Sequence, residues 1–389
     1  MVKNHIRLLY AVILILIIVV AFGYNKLDTR LNVFQNEWIA ESQMSEHLYI
    51  DGKTYDRSMI VTINGRDYMN YDLAIEAIDE TIELSNSGQR IYIKVNPELI
   101  DLDNPSLNEY LAENIIDINI PIVVEEGNRY VSMEIFSRAE RFEYGRAGKD
   151  YWIITHDKAL EGMMGETPKV YFNTHLNMEK GIIEKRTLHV CELADSYFVV
   201  GTDIVGYAKK EDVAVIESEH SGFSHYLNRD IVEVEKPFYL VWDQINSHQQ
   251  SLSFDQELVE VNADVISPTF LELNINGIVI NITELDYIDW VHEQDLAVWA
   301  LVSNSFNPDW TREMISDPTL VDRFISQLAI YSILYEFDGI NVDFENVYLK
   351  DSEKLNDFIE KLSLVTDEMG LVLSMDVTVP GGSDQWSKV

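Results

Sequence analysis

From residue 235 onward the chain alternates short apolar segments with stretches of helical spacing, and this alternation restricts the fold more than any other feature of the sequence. Residues 238–242, 265–271, 296–302, 339–344 and 371–377 read as strands. Residues 318–336 and 352–369 read as helices, the second with Leu355, Phe358, Ile359, Leu362 and Val365 on one stripe. Strands joined through helices call for right-handed crossovers and a parallel sheet, either open and doubly wound or closed as a (β/α) barrel. No glycine-rich phosphate-binding turn follows the first strand, which disfavours a dinucleotide fold and leaves the barrel as the expectation.

One strand of this series carries the chemistry: Phe337-Asp338-Gly339-Ile340-Asn341-Val342-Asp343-Phe344-Glu345-Asn346. Side chains alternate along a strand, so Asn341, Asp343 and Glu345 share one face, and Ile340, Val342 and Phe344 share the other. A row of polar groups inside a barrel is costly to bury unless they bond one another or a ligand. Glu345 comes last, at the carboxyl end, where barrel enzymes keep their catalytic residues. An i, i+2 pair lies about 6 to 7 Å apart by strand rise. At that spacing Asp343 can influence the ionisation of Glu345, which suits general acid catalysis. The plain alternative is that both acids cap the following loop. Five specified positions, Asp-Gly-x-Asn-x-Asp-x-Glu, match by chance at about one in ten thousand, which favours the catalytic reading.

The segment resembles the signature strand of glycoside hydrolase family 18, the chitinase-like barrels. The resemblance extends to Val265-Ile266-Ser267-Pro268-Thr269, to Val298-Trp299-Ala300-Leu301-Val302-Ser303-Asn304 and to Val377-Thr378-Val379-Pro380. Together these are most similar to the spore-cortex-lysin and peptidoglycan-hydrolase branch, over about residues 236–389. The resemblance implies an enzyme that hydrolyses β-1,4 bonds of an N-acetylglucosamine-containing polymer, peptidoglycan or spore cortex ahead of chitin. It implies retention through the substrate's own acetamido group, with no metal and no cofactor. Glu345 would be the proton donor and Asp343 would orient the acetamido group, with Asn341 and Asp338 supporting them. Where many chitinases carry aspartate this chain has Asn341, whose amide is a fixed donor and is expected to hold Asp343 anionic. Asn304, Trp242 and Trp299 sit on the expected strands and are candidates for sugar contacts, although core packing explains the two tryptophans as well. The family's sixth-strand tyrosine and eighth-strand tryptophan have no counterpart. Residues 235–389 supply five of eight strands, so the expectation is an incomplete barrel in a sequence that continues. A non-catalytic wall-glycan-binding or spore-morphogenesis protein is the alternative reading.

The rest of the chain reads as an export and attachment apparatus. Residues 8–24 are 17 uncharged, mostly apolar residues preceded by Lys3 and Arg7. They are the expected transmembrane helix or signal peptide, placing the remainder outside a cell membrane crossed once. Residues 1–24 are thus taken as the anchor, 25–55 as a spacer, 56–168 as a small α+β module with helices expected over 71–84 and 133–142, and 169–234 as a small β-barrel-like module. Residues 122–144 resemble the small N-terminal domain of some copper amine oxidases, without implying copper. Residues 206–213 resemble the closing strand of a bacterial Src-homology-3-like barrel. A formal charge of −37 repels phosphate backbones and excludes nucleic acid as a partner, leaving a neutral or cationic partner or one read by a local site. The single cysteine, Cys191, permits no disulfide framework and reads as a buried small hydrophobe. His220 with His225, and Asp101 with Asp103, lack the spacing of metal sites.

Overall fold

The computed structural model describes residues 46–100, 102, 104–111, 114–166, 168–216, 231–232, 234, 237–247 and 262–377. The apolar run at residues 8–24, His220, His225, Asp101 and Asp103 lie outside these residues. Among the described residues no helix is long and apolar enough to cross a membrane.

Five parallel strands form the centre of the C-terminal part: β1 (Leu240–Asp243), β2 (Val265–Pro268), β3 (Ala297–Ser303), β4 (Gly339–Asp343) and β5 (Val372–Met375). They neighbour one another in sequence order. A doubly wound sheet reverses its strand order at a switch point; a monotonic order puts every right-handed crossover on one face, as in a barrel. Helices α1 (Leu285–His292), α2 (Pro308–Ser316), α3 (Pro318–Tyr335) and α4 (Ser352–Glu368) supply the crossovers. The stretch 265–271, expected as one strand, breaks after Pro268. A short hairpin, Leu271–Leu273 with Val279–Asn281, then adds to the upper end of β3.

Alternation along the strands separates two cores. Val298, Ala300, Val302, Ile340, Val342 and Phe344 point outward and are buried with Phe324, Leu328, Phe358 and Leu362 of the helices. Phe344 stacks on Phe358 at 6.0 Å. On the inner side Val265, Ala297 and Trp299 pack with Phe238, Leu240 and Val372 in a small plug.

Helix α3 begins at an Asp317 cap with Pro318 behind it, ends at Glu336 in the left-handed region (φ 56°), and is buried nearly all round. A helix without a polar face needs cover on every side. The sheet strands cover one side. The other is covered by the N-terminal part, where Glu83–Leu84, Arg90–Val95 and Ile116–Pro121 form a three-stranded sheet. Buried Asn119 joins the two: its backbone N–H donates to Tyr331 Oη (2.9 Å), its Nδ2 donates to the Val279 carbonyl (2.5 Å), and its Oδ1 accepts the Asn281 N–H (3.0 Å). Arg66 adds ion pairs to Glu134, Asp286 and Asp289, the last two on α1.

Three local expectations are corrected. Residues 48–50 and 53–55, expected within a spacer, are strands, and Leu48–Ile50 pairs in parallel with Tyr151–Ile153. The helix expected over 71–84 stops at Ala77, where Asp79 Oδ1 accepts the Thr81 N–H and turns the chain. The helix expected over 133–142 stops at Arg138, because Glu140 adopts φ 58° and Phe142 opens a strand. Beyond these, seven antiparallel strands within residues 160–216 form a sheet of their own. Cys191 is buried in it, and burial pushes its thiol up to about 11.

Glu284, just before α1, is buried at the seam beside Tyr68 and Tyr335. Burial, with the Asp286 carboxylate nearby, raises it from 4.5 to about 8, against the pull of Arg66. The folded state then keeps a proton that the unfolded chain releases, so this group lowers stability as pH rises from about 4.5 through 8. Urea unfolding of the parent and of Glu284→Gln at pH 5 and pH 8 should show a smaller loss of stability in the variant; equal losses would exclude Glu284 as the source.

Candidate active site

The inner face of the sheet rises in layers from the amino to the carboxyl ends of the strands. At the bottom Gly339 lies beside Trp299, and a Cβ there would fall 2.6 Å from the Val372 carbonyl and 2.8 Å from the indole. Trp299 is 3 % exposed, meets Phe238 edge-on at 5.1 Å, and belongs to the plug. It does not line the cavity above, which corrects its assignment as a sugar contact. Asp338 lies lower still. Its carboxylate accepts the N–H groups of Val298 (2.8 Å) and Val232 (3.0 Å) and pairs with His292 Nε2 (2.8 Å). Six residues of chain, 339–344, lie between it and Glu345, so Asp338 fixes the entry of β4 and has no part in the upper site.

The middle layer is a polar knot around Asn341. Its Nδ2 donates to Ser267 Oγ (3.1 Å) and Asp376 Oδ2 (3.0 Å), and its Oδ1 accepts from Ser374 Oγ (2.9 Å). An amide nitrogen has two hydrogens, so none remains for Asp343. The donor expected for Asp343 therefore serves Asp376, which also accepts from Trp242 Nε1 (2.9 Å). Asp376 was not anticipated, because it lies just past β5 and meets its partners only across the sheet.

Asp343 and Glu345 form the top layer and line one open cavity of about 1010 Å³. Trp242 and Phe306 also line it, and both are more than half exposed, at 57 % and 58 %. Two aromatic faces beside carboxylates suit a ring with an apolar face and polar edges. Ser305 and Phe306 both adopt left-handed backbone (φ 55° and 54°), which costs roughly 1–2 kcal/mol for each non-glycine residue. Ser305 Oγ bonds Glu272 and the Leu273 carbonyl, and the Phe306 N–H donates to Asn304 Oδ1. These bonds hold the strained turn and present the Phe306 ring. An aromatic residue two positions past Asn304 was the available signal for it.

Asn304 is fully buried and is not a cavity-lining residue. Instead it clamps the backbone of Glu345: its Oδ1 accepts the Glu345 N–H (3.1 Å), and its Nδ2 donates to the Glu345 carbonyl (2.7 Å) and to Thr311 Oγ1 (2.9 Å). Arg312 secures the loop that follows, pairing with Asp351 (2.7 Å) and lying over the Tyr348 ring at 3.7 Å. Helix α2 thus carries two residues that hold the chain around Glu345. Among the described residues no group of three or more His, Cys, Asp or Glu is placed to hold a metal ion.

No protein-family model matches the chain. A curated relative, an uncharacterized glycosylase of Bacillus subtilis (strain 168), YvbX, is 25 % identical over 121 residues, which is 29 % of this chain and 35 % of that protein. The chain thus spans about a third of that relative. Among solved structures, the spore cortex-lytic enzyme SleL of Bacillus megaterium QM B1551 overlaps with a TM-score of 0.34 and 13 % identity, over 39 % of this chain and 38 % of its own. A class V chitinase of Pseudomonas fluorescens Pf-5 overlaps at 0.33 and 20 % identity, over 36 % and 44 %. A Group IV chitinase of Ostrinia furnacalis overlaps at 0.33 and 17 %, over 39 % and 46 %. These overlaps are partial and say nothing about activity.

The structural role of Asp338 is testable by itself. Asp338→Ala orphans two backbone N–H groups and one imidazole, and should lower unfolding free energy by about 3 kcal/mol or more. Denaturant titration checks this; an unchanged midpoint would show that β4 is anchored elsewhere.

Proposed function

We propose that residues 235–377 form the catalytic part of a retaining glycosidase acting on an N-acetylglucosamine-containing polymer. The observation that carries the proposal is the joint placement of Asp343 and Glu345 in one open cavity beside the exposed faces of Trp242 and Phe306. The signature around Asp343 and Glu345 and the glycosylase name of the curated relative support the same reading.

In this mechanism the Glu345 carboxyl group gives its proton to the glycosidic oxygen as the bond to the anomeric carbon breaks. The acetamido carbonyl oxygen of the same sugar attacks that carbon from the opposite face and closes an oxazolinium ring. Asp343 receives the amide N–H and balances the positive charge that develops on the ring. Glu345, now a carboxylate, takes a proton from water as its oxygen attacks the anomeric carbon and reopens the ring. Asn304 aims Glu345 through the backbone, and Trp242 provides an indole face held by Asp376. Peptidoglycan or spore cortex is proposed ahead of chitin, and residues 8–24 are proposed as the signal or anchor that exports the chain.

Glu345→Gln keeps the side-chain shape and removes the proton. It should lower release of reducing ends from peptidoglycan or chitin oligomers by about a thousandfold while circular dichroism is unchanged. Undiminished release would refute the assignment, and a parent that binds these glycans without cleaving them would favour the non-catalytic reading. Asp343→Asn should lower kcat about a hundredfold with a smaller change in KM. Asn304→Ala should lower kcat about tenfold with KM nearly unchanged, because it disturbs the aim of Glu345 and not substrate contact. A change in KM alone would instead place Asn304 against substrate.

A further inference from the structure

We infer that Arg90, supplied by the N-terminal part, reads a carboxylate on the glycan and makes the cavity selective for a carboxylate-bearing amino-sugar polymer over neutral chitin. The inference rests on the reading of the cavity as the glycan site and extends it to substrate class. Arg90 opens the strand Arg90–Val95, in which Ile91, Ile93 and Val95 are buried and the alternate residues Arg90, Tyr92 and Lys94 face the other way. Its Nε donates to the Asn281 carbonyl (3.2 Å), which fixes the plane of the guanidinium at the hairpin beside β3.

Arg90 lines the same cavity as Asp343 and Glu345 and is the one cationic side chain among the described residues lining it. Glu272 and Asp376 add further negative charge there. Among the described residues no carboxylate lies within ion-pair distance of Arg90, although acidic residues outnumber basic ones 66 to 29 in the chain. The Nη groups of an arginine anchored through Nε form a planar fork matched to a carboxylate.

The position also decides the role. Asn281 pairs with Leu271, Leu271 with Val302, and Val302 with Val342. Three strand spacings put the Asn281 backbone about 14 Å from β4. A group anchored there meets the polymer more than one sugar ring away from the bond that Glu345 would cleave, so it contributes to binding and specificity and not to bond breaking. In a cavity and a chain this acidic, an anionic polymer is repelled unless a local cation receives it. Neutral chitin needs no such group.

The test uses the full chain carrying Glu345→Gln, so that binding is read without turnover, with and without Arg90→Gln or Arg90→Lys. Calorimetry would compare peptide-free glycan strands that retain their sugar carboxylates, the same strands with the carboxylates converted to amides, peptide-bearing strands, and N-acetylglucosamine oligomers. Carboxylate-bearing strands should bind at least about tenfold more tightly than amidated ones. Arg90→Gln should erase that difference and leave the neutral oligomers unaffected, and Arg90→Lys should keep part of it. Discrimination confined to peptide-bearing strands would assign the carboxylate to the peptide, and discrimination on peptide-free strands would assign it to the sugar. Equal weakening for every glycan, or no weakening, would overturn the inference alone. Failure to bind any of them would overturn the glycan reading of the cavity as well.

Discussion

A helix that presents apolar side chains on nearly every side cannot be left against water, and from Phe324 onward α3 is such a helix. Its strand-facing side is covered by the parallel sheet, and its opposite side is covered by the strands Arg90–Val95 and Ile116–Pro121. The polar contacts across that seam are satisfied together by Asn119, which serves Tyr331, Val279 and Asn281, while Gln327 ties α3 to the hairpin through Gly277 and Val279. Buried donors and acceptors matched in this way hold the two parts in one register, since any slip would leave several unpaired at once. The N-terminal part is therefore a wall of the same core. Because its strand begins at Arg90 beside the hairpin, the need to cover α3 also brings a cation to the cavity.

The division of labour along β4 follows from its two faces and its two ends. Outward residues Ile340, Val342 and Phe344 lock the strand onto α3 and α4 by burial alone. Inward residues change character with height: Gly339 yields space to Trp299, Asn341 ties three strands together, and Asp343 opens onto the cavity. Glu345 lies two residues beyond the end of β4, and the Asn304 clamp holds its backbone there. Its hydrogen bonds to both backbone groups of one residue restrain that residue more tightly than a single side-chain contact would.

Much of this was legible in the sequence. The period of two in residues 337–346 separates core from cavity without reference to any neighbour, and the helical stripe of residues 352–369 matches the observed buried face. Residue type proved a poor guide to role wherever height along a strand mattered. Asp338, Trp299 and Asn304 all lie on or next to strands of the site, yet one anchors the strand entry, one fills the plug, and one aims a neighbour through its backbone. Asn341 was paired with Asp343 on spacing, but its hydrogen bonds run sideways to Ser267 on β2, to Ser374 on β5 and to Asp376 just past it. Alternation tells which face a residue occupies and is silent on the cross-strand partners.

The sequence by itself determined the parallel strand–helix alternation, the split faces of β4 and the carboxylates at its carboxyl end. These are local properties, set by the period of the chain and the polarity of successive residues. Only the tertiary structure decided that Asp376 joins Asn341, that Phe306 stands beside Trp242, and that Arg90 reaches the cavity across nearly two hundred residues of chain. Those depend on register between strands and on what covers a helix buried on nearly every side, which are relations between distant segments that no single stretch of sequence contains.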